Sequence, residues 1–487
     1  MLRRTKIVAT LGPATDDPKI LDEVIAAGVD VVRLNMSHGT HEDHERRAEW
    51  VRNRARASGR QVGVLIDLQG PKIRCGKFVD GGIVLAPDDR FILDTSCDLG
   101  QGNRERVGVT YSTLHDEVAR GDTLLLNDGH IVLWIDEVQG SEVRCKVVVG
   151  GTLSDSKGIN KLGGGLSAPA LTEKDKEDIR FAAQMEADYV AVSFVRSAED
   201  VHVTRQLLRE AGGQGGIVSK IERAEALDCI EEIVDASDVI MVARGDLGVE
   251  IGDAELPAVQ KHLISTARSM NCVVITATQM MESMIQNPIP TRAEVFDVAN
   301  AVMDGTDAVM LSGESAAGRY PAKAVEAMDR VCKEAEKQSQ TRQSDHRLHS
   351  VFGRIDEAIA MATMYTANHL GAAAIAALTE SGSTCKWMSR ISSGIPIYAL
   401  TGQVATRRKV TLYRGVYPVS FDLEPGIDSR QANTEVIEEL QRRGAVRDDD
   451  LVIITKGDLN GVSGGTNVMK IVRVGEHIVS GGEINFD

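Results

Sequence analysis

Residues 216–248 read GIVSKIERAEALDCIEEIVDASDVIMVARGDLG, and this stretch decides the fold. The run 216–222 is short and β-branched, as suits a buried parallel strand. Residues 230–236 close a helical segment, Val239–Ala243 is a second buried strand, and 244–248 read as a glycine-flanked loop. Lys220 and Glu222 stand two apart at the end of the first strand. Period-two alternation puts both on one face, roughly 7 Å apart at the backbone. Asp246 follows the next strand. If the two strands are parallel neighbours, Glu222 and Asp246 arrive at the same rim. Two carboxylates beside an ammonium make poor core, because a buried charge must be paired or bind metal. They suit a hard cation such as Mg²⁺, with the lysine receiving negative charge. Taken singly, each residue has a plainer reading. Lys220 and Glu222 are then a structural ion pair, and Asp246 a helix cap.

The alternation of strand and helix extends to both sides. Strands are expected at 6–12, 31–37 and 62–68, with helices Pro18–Ala27 and His41–Ala57 between them. After 172 come helix 173–185, strand 189–195, helix 198–211 and the opening stretch. Helix 256–270, strand 272–278, helix 292–303, strand 308–312 and helix 322–337 complete the run. Eight such units are the number that closes a (β/α)8 barrel, whose site lies at the C-terminal strand ends. Between 71 and 167 the text changes to short apolar runs cut by Gly, Asp and Asn, an all-β pattern. Inserted after the third strand, it would sit on that rim as a lid.

Residues 338–347 are polar without apolar period and read as a linker. A third α/β pattern follows: helix Ile355–Leu370, strand 373–378, a hydroxyl-rich loop 379–384 leading into a helix, strand 397–400, and helix 434–443. Strands 451–455 and 469–474 then flank a glycine-rich loop at 456–466. The expected division is a barrel at 1–70 and 168–337, a β lid at 71–167, a linker at 338–350 and a C-terminal α/β domain at 351–487. The loop at 379–384 is as good a helix cap as it is a phosphate nest.

Polar residues gather at the expected strand ends. They are Arg33, Asn35 and Ser37; Asp67; Ser193 and Arg196; Lys220, Glu222 and Asp246; Thr276, Thr278 and Gln279; Ser312 and Glu314. Caps and turns account for a Ser or a Thr there. They do not account for Arg33, whose guanidinium inside VVRLN wants a planar anion such as phosphate.

The totals narrow the partners. At 487 residues the chain exceeds one core. A net charge of −16 and a pI near 5.3 argue against nucleic acid or an anionic membrane. No 18-residue apolar run exists, so no membrane span is expected. The opening MLRRTKIVATLG enters a strand pattern without a signal-peptide core. Seven scattered cysteines with no CxxC spacing indicate neither a disulfide framework nor a zinc site, and a cytoplasmic location fits. No GxxxxGK[ST] occurs, which excludes a P-loop.

The chain resembles the pyruvate kinase family across nearly its whole length. The resemblance is carried, in order, by KIVATLGP, RLNMSHG, IDLQGPKIR, NDG, SKGIN, SFVR, SKIE, ARGDLGVE, TATQMMESM and LSGESAAGRYP. It implies a (β/α)8 barrel, a mobile β lid, a C-terminal regulatory α/β domain and a homotetramer. It also implies phosphoryl transfer from phosphoenolpyruvate to ADP, giving pyruvate and ATP. Such a transfer needs charge neutralisation and alignment more than a protein nucleophile. By resemblance, Glu222 and Asp246 hold Mg²⁺ or Mn²⁺, and Lys220 sits at the transferring phosphoryl group and enolate oxygen. Arg33 grips the phosphate, the amides of Gly245 and Asp246 take the substrate carboxylate, Ser193 lines the substrate, and Thr278 relays a proton to the enolate. Arg74 and Lys157 reach the nucleotide phosphates, with Pro13, His38 and Asp128 close by. For His38, a turn histidine capping a helix is nearly as good a reading.

Asn35, Ser37, Asp67 and the carbonyl of Leu68 match the family's K⁺ pocket. Many members carry a glutamate where this chain has Lys72, whose ammonium could supply the charge K⁺ supplies elsewhere; activity without K⁺ is therefore expected. The loop residues Thr379, Ser381, Gly382, Ser383 and Thr384 resemble an effector-phosphate loop of the bacterial subgroup that responds to AMP or sugar monophosphates. An arginine common in that loop is Ser383 here, and Glu380 would oppose a second phosphate, so a monophosphorylated effector is expected. Two other readings use the same residues: a metal-dependent lyase or aldolase acting on pyruvate enolate, and a non-enzymatic metabolite sensor. The lid with Arg74 and Lys157 argues against the first. Intact Lys220, Glu222, Asp246 and Thr278 argue against the second.

Overall fold

The computed structural model describes residues 2–342, 351–424, 427–457 and 464–476. Most of the expected linker, at 343–350, and the middle of the glycine-rich loop, at 458–463, lie outside the described residues.

Eight parallel strands close a barrel in chain order. They are β1 (Lys6–Thr10), β2 (Val31–Asn35), β3 (Gly63–Asp67), β4 (Tyr189–Val192), β5 (Gly216–Ile221), β6 (Val239–Ala243), β7 (Val273–Ala277) and β8 (Ala308–Leu311). β8 returns to β1 in parallel register, Lys6 opposite Ala308. The strands are short and β-branched because both faces are covered, by the barrel interior and by the helices. Their helices start where the sequence supplies caps. Thr40 with Asp43, Thr172 with Asp175, and Thr291 with Glu294 form capping boxes. Gly28 and Gly305 end helices in the left-handed region, at φ 114° and 95°.

Between β3 and β4 the chain builds a six-stranded sheet and a separate two-stranded one. Their core of Phe91, Leu93, Leu124, Leu133, Ile135 and Val147 is distinct from the barrel's. The all-β expectation is corrected by one short helix, Leu114–Glu117.

The C-terminal sheet runs Val416–Ser420, Ile397–Thr401, Ala374–Leu378, Leu451–Gly457 and Thr466–Arg473, the last strand antiparallel. The strand Val416–Ser420 was not expected. Pro418 lies in it, and it is the edge strand, the place where a missing N–H does least harm. The helix expected at 434–443 begins earlier, at Ser429, capped by Asp428.

This sheet's layer seals the barrel's N-terminal mouth. The Tyr189 hydroxyl donates to the Lys409 carbonyl, and Lys6 Nζ to the Val416 carbonyl, at 2.6 Å each. The buried Arg390 guanidinium pairs with Asp307 just before β8. With that mouth closed, the C-terminal strand ends are left as the open face. No helix among the described residues is long and apolar enough to cross a membrane.

Candidate active site

Lys220, near the end of β5, anchors a buried charge network. Its ammonium lies 2.8 Å from Glu222 Oε1, 2.7 Å from Ser193 Oγ and 3.4 Å from Asp67 Oδ1. Burial works against that charge, but Asp67 and Glu222 outweigh it and hold the ammonium above its ordinary value. Lys220 is thus a fixed cation rather than a base. Asp67 also receives Arg33 Nε at 2.6 Å; burial would raise its carboxyl, yet Lys220 and Arg33 hold it below the usual range. Arg33 Nη1 donates to Thr10 Oγ1 at 3.0 Å, a contact the sequence reading missed. Ser193 Oγ in turn donates to the Leu68 carbonyl at 2.8 Å.

Glu222 stands one residue past β5, and its Oε2 accepts from the Phe194 amide at 2.8 Å. Burial pushes its carboxyl up, Lys220 offsets part of that, and Asp246 adds to it. The Asp246 carboxylate thus adds to the cost of charging Glu222. Asp246 Oδ1 is met by Lys72 Nζ at 3.2 Å. Among the described residues no group of three or more His, Cys, Asp or Glu side chains stands ready for a metal. Two crowded carboxylates nonetheless fit Mg²⁺, which takes one or two protein carboxylates and fills its other positions with substrate and water oxygens.

The K⁺-pocket residues are partly spent on one another. Asn35 Oδ1 accepts from the Ser37 amide at 3.1 Å, and the buried Asp67 Oδ1 faces the Lys220 ammonium at 3.4 Å. Lys72 reaches Asp246, not Asp67.

The segment 244–248 is not a loop. It opens the helix Arg244–Ile251, which starts directly from β6 and carries Asp246 in its first turn. Gly245 and Gly248 hid it, since glycine disfavours helix. The Gly245 amide donates to Thr278 Oγ1 at 2.8 Å, so this amide is engaged by the hydroxyl beside it. Thr278 lies just past β7 with φ 66°. Thr276 points elsewhere: its hydroxyl meets Thr306, buried behind the strand. Arg196 likewise turns to the segment that returns from the lid, donating to the Ser167 carbonyl at 2.9 Å. Glu314 accepts from the amides of Ser312 and Met281, at 2.7 and 3.2 Å, and so ties the ends of β7 and β8 together.

On the lid side, Arg74 pairs across to Gly158, next to Lys157, and its Nη1 donates to the Ser156 carbonyl at 2.9 Å. Asp128 sits in a turn at φ 56°. Pro13 opens a short 3-10 turn, and the His38 carbonyl receives His44 Nε2 at 2.8 Å.

In the C-terminal layer, Thr379, Ser381, Ser383 and Thr384 line a cavity of about 200 Å³. The Gly382 amide donates to Thr379 Oγ1 at 3.0 Å, and Thr384 Oγ1 meets Thr466 Oγ1 at 2.7 Å. Glu380 is turned to Gln403 at 2.7 Å.

Comparison with known proteins gives a consistent result. A family model for the pyruvate kinase barrel domain matches residues 2–325, and one for the pyruvate kinase alpha/beta domain matches residues 357–472. The chain is 55% identical to pyruvate kinase II of Salmonella typhimurium over 477 residues, 97% of this chain and 99% of that protein. It is 52% identical to a pyruvate kinase of Haemophilus influenzae over 479 residues, again 97% and 99% of the two chains. A pyruvate kinase of Mycobacterium intracellulare is 42% identical over 479 residues, 98% of this chain and 99% of that one.

Proposed function

From the premise that the chain belongs to the pyruvate kinase family, we infer that Lys220, Arg33, Glu222, Asp246 and Thr278 carry the family's reaction at the barrel's open mouth. The enzyme transfers the phosphoryl group of phosphoenolpyruvate to ADP, giving pyruvate and ATP. The observation that carries the assignment of residues is the Lys220 ammonium, buried and held charged 2.8 Å from Glu222. A cation fixed there stabilises charge as it moves from the phosphoryl group to the enolate oxygen. Arg33 spends Nε and Nη1 on Asp67 and Thr10, which leaves Nη2 for the substrate phosphate. Ser193 sets the Lys220 ammonium from the other side. Glu222 and Asp246 hold Mg²⁺ or Mn²⁺, which when bound supplies Lewis-acid polarisation and charge neutralisation. Thr278, its hydroxyl beside the Gly245 amide, passes a proton to the enolate, through water. The amides of Gly245 and Asp246 take the substrate carboxylate, the first exchanging Thr278 for it.

Arg74 and Lys157 bind the nucleotide phosphates from the lid, with Pro13, His38 and Asp128 around the nucleotide. Turnover does not require K⁺, because Lys72 already brings an ammonium to the Asp246 edge of the site. The C-terminal cavity takes a monophosphorylated effector at Thr379, Ser381, Gly382, Ser383 and Thr384, with AMP or a sugar monophosphate as the class. Self-association to a homotetramer is supported by Phe296 and Met303, exposed seven residues apart on helix Arg292–Asp304. A lactate dehydrogenase-coupled assay with phosphoenolpyruvate and ADP tests the reading. Pyruvate formation that needs ADP supports it. Pyruvate formed at the same rate without nucleotide would refute it.

A further inference from the structure

Thr278 has a backbone that its side chain resists. A β-branched residue at φ 66° is a steric outlier, and Gln279 follows it at φ 55°. Such a pair persists only where the surroundings over-determine it. The holding group here is Arg244, a 7% exposed guanidinium one residue before Gly245. Its Nη2 donates to the Thr278 carbonyl at 2.6 Å and its Nε at 3.2 Å. Nε also lies 3.3 Å from the Ala277 carbonyl. The far side of the guanidinium is fixed by Asp297, on helix Arg292–Asp304, through paired contacts of 2.6 and 2.8 Å. The next amide, Gly245, holds the Thr278 hydroxyl at 2.8 Å. Thr278 is therefore gripped at its carbonyl by Arg244 and, until substrate takes the Gly245 amide, at its hydroxyl by the neighbouring residue. In this structure that hydroxyl also donates to the Ala277 carbonyl at 2.7 Å.

We propose that Arg244 and Asp297 are positioning residues for proton transfer: the Asp297-anchored guanidinium holds Thr278 in its left-handed conformation and so sets where its hydroxyl stands to relay a proton, through water, to the enolate. The inference rests on the reading of Thr278 as the proton relay. Neither residue is among those assigned to substrate. A lysine cannot replace Arg244, because the paired bonds to Asp297 and those to the Thr278 and Ala277 carbonyls use the planar fork.

The test separates proton transfer from substrate binding. Exchange of pyruvate methyl protons for solvent deuterium, followed by NMR with Mg²⁺ and ATP present, reads the proton step. The KM for phosphoenolpyruvate reads binding. Arg244→Ala and Arg244→Lys should each slow exchange by about 100-fold, the loss expected from an ångström of misplacement, with KM changed less than about threefold. Asp297→Asn keeps the arginine and the shape of the pair and should slow exchange about tenfold, which settles the matter if the arginine variants do not fold. Thr278→Val is run beside them. If Thr278→Val leaves exchange intact, the relay reading falls and the inference with it. If Thr278→Val abolishes exchange while the folded Arg244 and Asp297 variants keep the full rate, the clamp alone is refuted.

Discussion

Lys72 Nζ lies 3.2 Å from Asp246 Oδ1, so the residue that replaces a glutamate common in the family points its charge at a carboxylate assigned to the divalent cation. An ammonium there lowers the negative charge of a mouth that also holds Glu222 and Asp67. With tetramethylammonium as the sole monovalent cation, the wild-type enzyme should keep most of its turnover. Lys72→Glu puts a further carboxylate beside Asp246. A like charge at about 4 Å costs several kcal/mol at the effective dielectric of such a site, so turnover without K⁺ should fall by about 100-fold and return on adding K⁺. Loss of nearly all wild-type turnover in tetramethylammonium would contradict the role given to Lys72.

The Asp246 carboxylate makes Glu222 harder to charge, and a divalent cation held by the two, as proposed, would offset this. Glu222→Gln removes one of the two carboxylates proposed to hold the cation. Even outer-shell changes cost metal sites about 10–100-fold in affinity, so the Mg²⁺ concentration for half-maximal velocity should rise by at least about tenfold. An unchanged Mg²⁺ dependence would remove Glu222 from the cation site.

Glu250 closes the helix that Asp246 opens, and it meets the lid where its carbonyl accepts from the Gly163 amide at 2.9 Å. Burial, with Glu225 adding to it, pushes its carboxyl up to about 7 from 4.5, against the pull of the Ala224 amide and Arg223. The folded protein holds this proton more tightly than the unfolded chain does. The stability it contributes is full below pH 4.5 and lost as pH rises through about 7. Glu250→Gln keeps an acceptor for the Ala224 amide and carries no charge. It should stabilise the fold by about 1–3 kcal/mol at pH 8, the gain shrinking toward zero by pH 5, as read from urea midpoints at both pH values. An equal gain at both would contradict the titration.

Arg390 ends the helix Ser383–Ser389 that borders the C-terminal cavity, and its buried guanidinium pairs with Asp307, Nη1 to Oδ2 at 2.8 Å. Arg390→Ala strands a buried carboxylate and should cost about 3–5 kcal/mol of unfolding free energy. Adding Asp307→Asn should recover part of that loss. Strict additivity of the two changes would show that the pair is not coupled.

The barrel was legible because buried parallel strands write themselves as β-branched runs at a regular spacing, and because Thr40, Thr172 and Thr291 announce their helices. The contact of Lys220 with Glu222 followed from strand parity, and the parallel pairing of their strand with the one that precedes Asp246 from the alternation of strand and helix. What escaped was set by long-range packing. The helix Arg244–Ile251 has two glycines and no capping side chain, so local propensity spoke against it. The left-handed Thr278 has no sequence signal, since a threonine there is disfavoured until Arg244 and the Gly245 amide hold it. The first turn of helix Ser429–Arg442 is polar, so apolar periodicity found only its later part. The partner of Lys72 lies across the mouth of the barrel, 174 residues away in sequence, beyond the reach of any local pattern.

The central claim is that a fixed ammonium at residue 220 carries the transfer of phosphoryl charge. The most direct measurement is single-turnover formation of ATP from phosphoenolpyruvate and Mg²⁺–ADP by Lys220→Met, with phosphoenolpyruvate affinity measured alongside. The expected result is a loss of at least about 1000-fold in the transfer rate, while the substrate still binds. A Lys220→Met enzyme that transfers within tenfold of wild type would contradict the account.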